Sequence, residues 1–210
     1  MIRVAKREDA EELLKIYSYY VENTAITFEY DVPSVEEFSD RISNTLKKYP
    51  YLVLEEEGKI LGYTYAGEFK SRAAYDRAVE TTIYMDKNLK HRGMGKKLYK
   101  ALEQALELQK ITNLYACIAY PKEEDEYLTK NSVEYHQHLG YRMVGEFYNC
   151  GYKFGRWYNM VWMEKIIAPH KDHPDKVLKF DEIRNIFKEW SRTRMRSTMK
   201  WPALLFPMSC

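Results

Sequence analysis

The stretch Lys90-His91-Arg92-Gly93-Met94-Gly95-Lys96 is the most informative part of this 210-residue chain. It lies between a β-branched run at residues 79–85 and an amphipathic pattern at residues 94–109, which predict a strand and a helix. Two glycines let a ligand approach the main chain closely, and a helix start offers unpaired amide N–H groups and the positive end of its dipole. With basic side chains beside it, such a segment is typical of a phosphate or pyrophosphate site. A glycine-rich turn without a ligand is the alternative.

Two common nucleotide motifs do not fit this loop. A dinucleotide fingerprint needs a third glycine, where the chain has Leu98. A Walker loop needs a hydroxyl side chain after its Gly-Lys pair to bind magnesium, where the chain has Lys97. The pattern therefore favours another phosphate-bearing ligand.

Outward from the loop, periodicity and turn residues predict elements in the order β-α-α-β-β-β-α-β-α-β-β. The predicted strands lie at residues 2–5, 51–55, 60–69, 79–85, 114–119, 141–150 and 157–166, the last two joined through Gly151 and Gly155. The predicted helices start at a capping box of Asp9 and Glu12, at Ser34, at Met94 and at Asn131. This order predicts an α/β fold of mixed layers.

Composition and charge exclude several classes of protein. Hydrophobic residues make up 45% and charged residues 30% of the chain, the balance of a globular rather than a disordered protein. No stretch approaches the ~20 apolar residues of a membrane span, and the charged N-terminus predicts a chain that is not exported. Three cysteines without CxxC or Cys/His spacing predict a cytoplasmic location and no metal site. The net charge is +2, with no basic excess before residue 166, which argues against nucleic acid as a partner.

Two ionisable residues are candidates for catalysis. Glu80 shares a strand face with Thr82 and Tyr84, and a carboxylate on a half-buried strand needs a partner or a function. Partial burial would raise its pKa toward that of a general base, whereas the alternative is a salt-bridged glutamate on a solvated face. His136 lies four residues before Gly140 on the last predicted helix, and imidazole can act as acid or base near neutrality. The alternative is that His136 is a surface or core residue without a catalytic role.

Several stretches resemble one acetyltransferase family. The loop resembles the Q/R-x-x-G-x-G/A pyrophosphate loop of GNAT acetyltransferases, with Lys90 at the usual Gln or Arg position. Residues 1–165 are similar to the phosphinothricin / methionine sulfoximine branch. The stretches that carry this resemblance are 16–24, 27–29, 74–75 with 79–85, 131–141 and 151–158.

The resemblance implies the GNAT fold, with a central, mostly antiparallel mixed sheet flanked by helices, and acetyl-CoA as cosubstrate. It implies Glu80 as the base and His136 as an assisting group. The implied coenzyme contacts are Ile83, Tyr84, Met85, His91, Arg92, Gly93, Met94, Gly95 and Lys96. Two roles stay open for Asn131, a contact with the pantetheine arm or a helix cap paired with Glu134, and we favour the cap.

The acceptor is expected to be a small amine that resembles an amino acid. Lys70, Arg72 and Arg77 precede the candidate base, and cations there suit a carboxylate next to the reacting amine, although a solvated basic loop has the same composition. The resemblance places Phe28, Glu29, Lys70 and Arg72 in the acceptor site and implies a homodimer. The alternatives are the same chemistry on a protein N-terminus or an aminoglycoside, and a module that binds coenzyme or RNA without turnover.

Beyond the domain predicted at residues 1–166, residues 167–210 form a linker and a basic extension. Its sequence 169–174 contains two histidines and an aspartate, for which a linker is a simpler interpretation than a metal site. From Asp181 the apolar spacing predicts an amphipathic helix, followed by arginines at 192, 194 and 196 and an apolar end at 201–206. We expect this extension to dock on protein.

Overall fold

The computed structural model describes residues 1–89 and 93–194, with side chains up to residue 188. Its helices are α1 (Ala10–Asn23), α2 (Val35–Lys48), α3 (Met94–Leu108), α4 (Asn131–His138) and α5 (Phe180–Arg194). Its strands are β1 (Ile2–Val4), β2 (Tyr51–Glu56), β3 (Lys59–Glu68), β4 (Ala78–Met85), β5 (Asn113–Tyr120), β6 (Arg142–Lys153) and β7 (Arg156–Ile166). The predicted fold class and order of elements are confirmed.

The strands form one sheet in the order β1-β2-β3-β4-β5-β7-β6. Neighbouring strands are antiparallel except β4 and β5, which are parallel and pair only from Ala78 with Asn113 to Glu80 with Tyr115. Beyond that pair the two strands separate, so the sheet opens in its centre.

Helices cover both faces of the sheet. On one face, Tyr17 of α1 packs edge-on against Tyr84, and Phe38 of α2 packs edge-on against Tyr63. On the other face, the Tyr99 hydroxyl of α3 lies 3.2 Å from Oγ1 of Thr81. Because successive side chains of a strand point to opposite faces, Glu80 and Thr82 face α1 and α2, whereas Thr81 faces α3.

The first two of the predicted helix starts differ in outcome. Ser34 caps α2 as expected, accepting a hydrogen bond from the amide of Glu37 at 3.0 Å. The predicted capping box of Asp9 and Glu12 is wrong. The Asp9 carboxylate accepts instead from the Arg3 guanidinium at 2.7 and 2.9 Å, and Glu12 accepts from the amide of Ile60 at 3.1 Å. Both carboxylates therefore bond to groups outside the helix instead of forming the local cap.

The final hairpin also corrects the prediction. β6 turns into β7 at Phe154 and Gly155, with φ of +51° and +75°, and Lys153 pairs with Arg156. Gly151 lies inside β6 rather than in the turn. A Cβ atom there would lie 2.3 Å from Cε2 of Phe28, so the ring occupies the space of a side chain.

The described part of the C-terminal extension packs on the domain. Phe180, Ile183 and Phe187 of α5 are at most 2% exposed and belong to the main hydrophobic core. Buried Gln109, at the end of α3, donates to the carbonyls of Lys48 and Leu178 at 2.8 Å each. Residues 195–210, with Arg196 and the apolar end, lie outside the described residues, as do the side chains of Trp190, Arg192 and Arg194.

Candidate active site

A cleft of about 440 Å³ lies where β4 and β5 separate. Its walls are residues 81–85 of β4, residues 116–118 of β5, the first turn of α3 and one side of α4. Among the described residues, β4 beyond Glu80 has no strand partner on the β5 side. The cleft therefore offers main-chain groups to an extended ligand, as the open edge of a sheet does.

The α3 end of the cleft has the chemistry of an anion site. Gly93 precedes the helix with a φ of +63°, a conformation that favours glycine, and 93–96 all line the cleft. The amides of a first helical turn have no partner within the helix and carry partial positive charge. Four of the expected coenzyme contacts, Gly93, Met94, Gly95 and Lys96, therefore line the cleft, whereas Lys90, His91 and Arg92 lie outside the described residues.

Tyr135 of α4 is a cleft residue that the sequence analysis did not identify. Its buried hydroxyl has no hydrogen-bond partner among the described residues. A Cβ atom at Gly95 would lie 2.7 Å from this hydroxyl, so the glycine allows α3 and α4 to approach each other. The Gly-x-Gly spacing indicated a ligand contact but carried no information about this packing partner.

The predicted pantetheine strand borders the same cleft. Ile83, Tyr84 and Met85 all line it. The Met85 carbonyl already accepts a hydrogen bond from the Tyr20 hydroxyl at 2.6 Å. The main chain of Ile83 and Tyr84 is therefore the better candidate for contact with a ligand.

Glu80 stands where the cleft begins. It is partly buried, and burial raises the pKa of its carboxyl, an effect that the charge of Lys70 partly offsets. Its neighbours Thr81 and Thr82 line the cleft. A carboxylate with a raised pKa is a stronger proton acceptor than an exposed one, which is what a general base needs.

His136 is buried at the floor of the cleft, with both ring nitrogens bonded inside the protein. Nδ1 lies 2.7 Å from the Ser132 carbonyl, which only accepts, so the proton is assigned to Nδ1. Nε2 then accepts from the Tyr99 hydroxyl at 2.9 Å. Burial lowers the pKa of His136, so the neutral ring is favoured. His136 itself lines the cleft, so its Nε2 can exchange a proton there after the bond to Tyr99 breaks.

The Thr81 and Tyr141 hydroxyls near His136 are hydrogen-bonded. The Thr81 hydroxyl lies 3.1 Å from the Tyr115 carbonyl, to which it donates, and 3.0 Å from the Tyr141 hydroxyl. These bonds connect β4, β5 and the start of β6 behind the cleft. His138, in contrast, is exposed and bonds to the Glu134 carbonyl of its own helix.

Asn131 does not cap α4. Lys130 occupies the cap position, and the amides of Val133 and Glu134 bond to its carbonyl at 3.0 and 3.1 Å. The acidic segment before the helix fixes this start, because Glu124 accepts from the Lys130 amide at 2.7 Å. The favoured cap role of Asn131 is therefore wrong, and the residue lines the cleft instead.

The residues expected at the acceptor site separate into two groups. Phe28 and Glu29 lie on the α1 and α2 side of the sheet, and Glu29 borders a second cavity of about 380 Å³, where it pairs with Arg41 at 2.8 Å. The Lys70 ammonium lies 5.2 Å from the ring centre of Phe69. Its positive charge lowers the pKa of Glu80, in opposition to the effect of burial.

The other cations of the basic loop differ. Arg72 is exposed at the start of a short 3₁₀ turn, Ala73–Tyr75. Arg77 does not lie beside the base as expected. Its guanidinium donates to the carbonyls of Lys110 and Asp175, because the C-terminal linker crosses over it.

Neither a metal centre nor a membrane segment occurs in the described part of the chain. Within residues 1–89 and 93–194, no three His, Cys, Asp or Glu side chains are grouped to hold a metal ion. His170 of the linker bonds to the Asn113 side chain at 2.8 Å. None of the described helices is long and apolar enough to cross a bilayer.

Comparison with known proteins decides the family. The profile of the acetyltransferase (GNAT) domain family matches residues 2–162. This chain belongs to the GNAT acetyltransferase family. Phosphinothricin N-acetyltransferase of Streptomyces viridochromogenes is 32% identical over 174 residues, which are 82% of this chain and 91% of that protein. L-methionine sulfoximine/L-methionine sulfone acetyltransferase of Salmonella typhimurium is 25% identical, over 80% of this chain and 95% of that protein.

Solved structures of this GNAT family agree with the fold. A phosphinothricin acetyltransferase from Sinorhizobium meliloti in complex with acetyl-CoA superimposes with a TM-score of 0.74 at 27% identity, covering 86% of this chain and 97% of that one. The present chain is thus an acetyltransferase that uses acetyl-CoA. The open strand edge, the left-handed Gly93 and the anion-binding helix start fit that coenzyme.

Proposed function

We propose that this GNAT enzyme transfers acetyl from acetyl-CoA directly to the amine of a small amino-acid-like acceptor of the phosphinothricin or methionine sulfoximine and sulfone type. The observation that carries the proposal is the position of Glu80, a partly buried carboxylate where β4 and β5 separate and the cleft begins. The relatives with these acceptors in their names support the acceptor class.

Two parts of the coenzyme, the pyrophosphate and the pantetheine arm, are assigned to two different parts of the cleft. The amides of 93–96, with His91 and Arg92 from the adjoining loop, are proposed to hold the pyrophosphate. The main chain of Ile83 and Tyr84 is proposed to follow the pantetheine arm, with Asn131 on the opposite wall. When bound, acetyl-CoA supplies an acetyl carbon activated as a thioester.

Glu80 is proposed to remove the proton that the acceptor amine carries near neutrality, directly or through a water molecule. The raised pKa of its carboxyl matches this base role. His136 lines the cleft and is proposed to assist by returning a proton to the departing sulfur from Nε2, after that nitrogen has taken up a proton and parted from the Tyr99 hydroxyl.

Acceptor recognition is assigned to residues on the Glu80 side of the sheet. Lys70 and Arg72 supply positive charge for an acidic group on the acceptor. Phe28 and Glu29 are proposed to contact the rest of the acceptor, and Glu29 borders the second cavity. Glu80 is partly buried there, and this burial raises the pKa of its carboxyl despite the positive charge of Lys70.

We also propose a cytoplasmic homodimer. The support is a strip of exposed apolar side chains on the last hairpin, where β6 forms the edge of the sheet. The strip consists of Met143, Val144, Phe147, Tyr148, Tyr152 and Trp157, each at least 40% exposed. Sedimentation at two protein concentrations tests the dimer, and a monomer at both would reject it.

A panel of acceptors tests the proposed function. Free thiol released from acetyl-CoA is measured with phosphinothricin, methionine sulfoximine, methionine sulfone, the standard amino acids, an aminoglycoside and a peptide with a free N-terminus. We expect N-acetyl product, identified by mass, with amino-acid-like acceptors. Turnover only with the aminoglycoside or peptide would reject the acceptor class. No turnover, together with salt-sensitive RNA retention, would support the non-catalytic module instead.

A further inference from the structure

Lys153 is a buried cation with no part in the chemistry derived above. It is the last residue of β6, and only 2% of its surface is exposed. Its ammonium donates to the carbonyls of Val21, at 2.7 Å, and Thr27, at 2.8 Å. Burying a charged group costs free energy unless its N–H donors form hydrogen bonds. The two bonds to main-chain carbonyls offset part of this cost for Lys153.

Both carbonyls belong to the segment that separates the two cavities. Val21 lies in the last turns of α1, and Thr27 lies in the turn at residues 24–30 that follows the helix. Within this turn, Ile26 lines the cleft and Glu29 lines the second cavity. A shift of the turn would therefore change the shape of both cavities.

The end of β6 contacts this turn at three successive residues. The Phe28 ring fills the space beside Gly151, and the Tyr30 hydroxyl donates to the Tyr152 carbonyl. Gly151 and Lys153 are both buried, and of the three residues only Lys153 also bonds to α1, through the Val21 carbonyl. The turn has one further bond to α1, since the Tyr17 hydroxyl lies 2.9 Å from the Thr27 hydroxyl. Burial lowers the pKa of Lys153, an effect that nearby Glu29 opposes.

We propose that Lys153 is a positioning residue for acceptor binding, because its ammonium holds the turn at residues 24–30 against the end of β6. This inference rests on the proposed acceptor site. Lys153 touches neither cavity, so its effect passes through Phe28 and Glu29. Acetyl-CoA is bound mainly at the other end of the cleft, by the first turn of α3, and should be little affected.

Lys153→Met tests the proposal, since it keeps the length of the side chain and removes the donors. We expect amide hydrogen exchange at residues 25–30 to accelerate by at least about tenfold, while exchange in α3 is unchanged. The KM for the acceptor should rise by about tenfold or more, with the Kd for acetyl-CoA changed by less than about threefold. Lys165→Met is the matched control, because this lysine pairs with Glu103 at 2.7 Å, far from the turn.

The control should leave the exchange of residues 25–30 and the acceptor KM unchanged. Lys153→Arg keeps a cation that donates to carbonyls and should lie between the wild type and Lys153→Met in both measurements, which also covers the case in which the Met variant does not fold. Exchange at residues 25–30 within about twofold of the wild type in the folded variants would overturn the proposal. A parallel loss of acetyl-CoA affinity would overturn it as well. Amide hydrogen exchange is measured without substrate. It therefore tests whether Lys153 holds the turn at residues 24–30 even if the acceptor panel rejects the proposed function.

Discussion

Glu80 and Tyr115 are the last matched residues of the parallel β4–β5 ladder, and the coenzyme cleft begins directly beyond them. The candidate base thus lies at the point where main-chain pairing between the two strands ends. The same separation frees the β4 main chain for a ligand and brings a carboxylate to the end of the space where that ligand fits. One feature of the sheet would therefore account for both the proposed coenzyme binding and the placement of the candidate base.

The contact between Gly95 and Tyr135 predicts a coupled pair of substitutions. Gly95→Ala brings a Cβ atom to 2.7 Å from the Tyr135 hydroxyl, so we expect weaker acetyl-CoA binding and a loss of about 1–3 kcal/mol of unfolding free energy. Tyr135→Phe alone should be neutral or slightly stabilising, because it removes a buried hydroxyl without a partner. In the Phe background, the cost of Ala at position 95 should fall by more than about 0.5 kcal/mol.

Chemical denaturation of the two single variants and the double variant measures this coupling. Gly145→Ala is the control, since nothing lies within 4 Å of a Cβ atom there. Additive effects of the two substitutions would show that the clash is not the cause.

The buried His136 predicts a pH-dependent stability. Its pKa is lowered in the folded protein, so the unfolded chain binds more protons as the pH falls below about 6.5. The free energy of unfolding should therefore decrease from about pH 7.5 to about pH 5.5, and part of that decrease belongs to this residue. His136→Gln keeps groups that can bond to Tyr99 and Ser132 but does not titrate.

Melting temperatures of the wild type and of His136→Gln, each measured at the two pH values, give the contribution of His136 to the pH dependence of stability. We expect a smaller difference in the Gln variant than in the wild type. Equal differences would assign the pH dependence to other groups and place the His136 pKa near its ordinary value.

Helix α5 is predicted to stabilise the catalytic domain. Phe187 is 1% exposed and packs edge-to-face on Phe180, with ring centres 6.0 Å apart. Phe187→Ala should lower the free energy of unfolding by about 3–5 kcal/mol. Its neighbour Ile186 is 49% exposed, and Ile186→Ala should change stability by less than about 0.5 kcal/mol. Urea denaturation measures both losses. Equal losses of unfolding free energy for the two substitutions would show that α5 is not part of the hydrophobic core.

The sequence was informative where the chemistry is local. The Ser34 cap, the short turn between the strands predicted at 51–55 and 60–69, and the glycine at the start of α3 each depend on residues close in sequence, and each was predicted. Glu80 could be named from strand alternation and the family resemblance together. Its partial burial then became visible only with the sheet assembled.

The incorrect expectations involve hydrogen-bond partners that lie outside the motif from which each expectation came. Asp9 was expected to cap a helix but bonds to Arg3, and Arg77 was expected near the base but bonds to the linker that crosses it. Asn131 lost its cap role because the acidic segment fixes the helix start one residue earlier. Tyr135 and Lys153 carry no local signal, since their roles depend on what α3 and α1 bring next to them.

Measurement of the pH profile of kcat/KM for Glu80→Gln, with the best acceptor of the panel, tests the central claim most directly. The wild type should lose activity at low pH with a limb above the ordinary pKa of a glutamate carboxyl, because burial raises the pKa of Glu80 and the base must be ionised. The Gln variant should bind acetyl-CoA normally, lose the limb and turn over about 10²–10⁴-fold more slowly. Wild-type activity with an unchanged pH profile in the Gln variant would contradict the account.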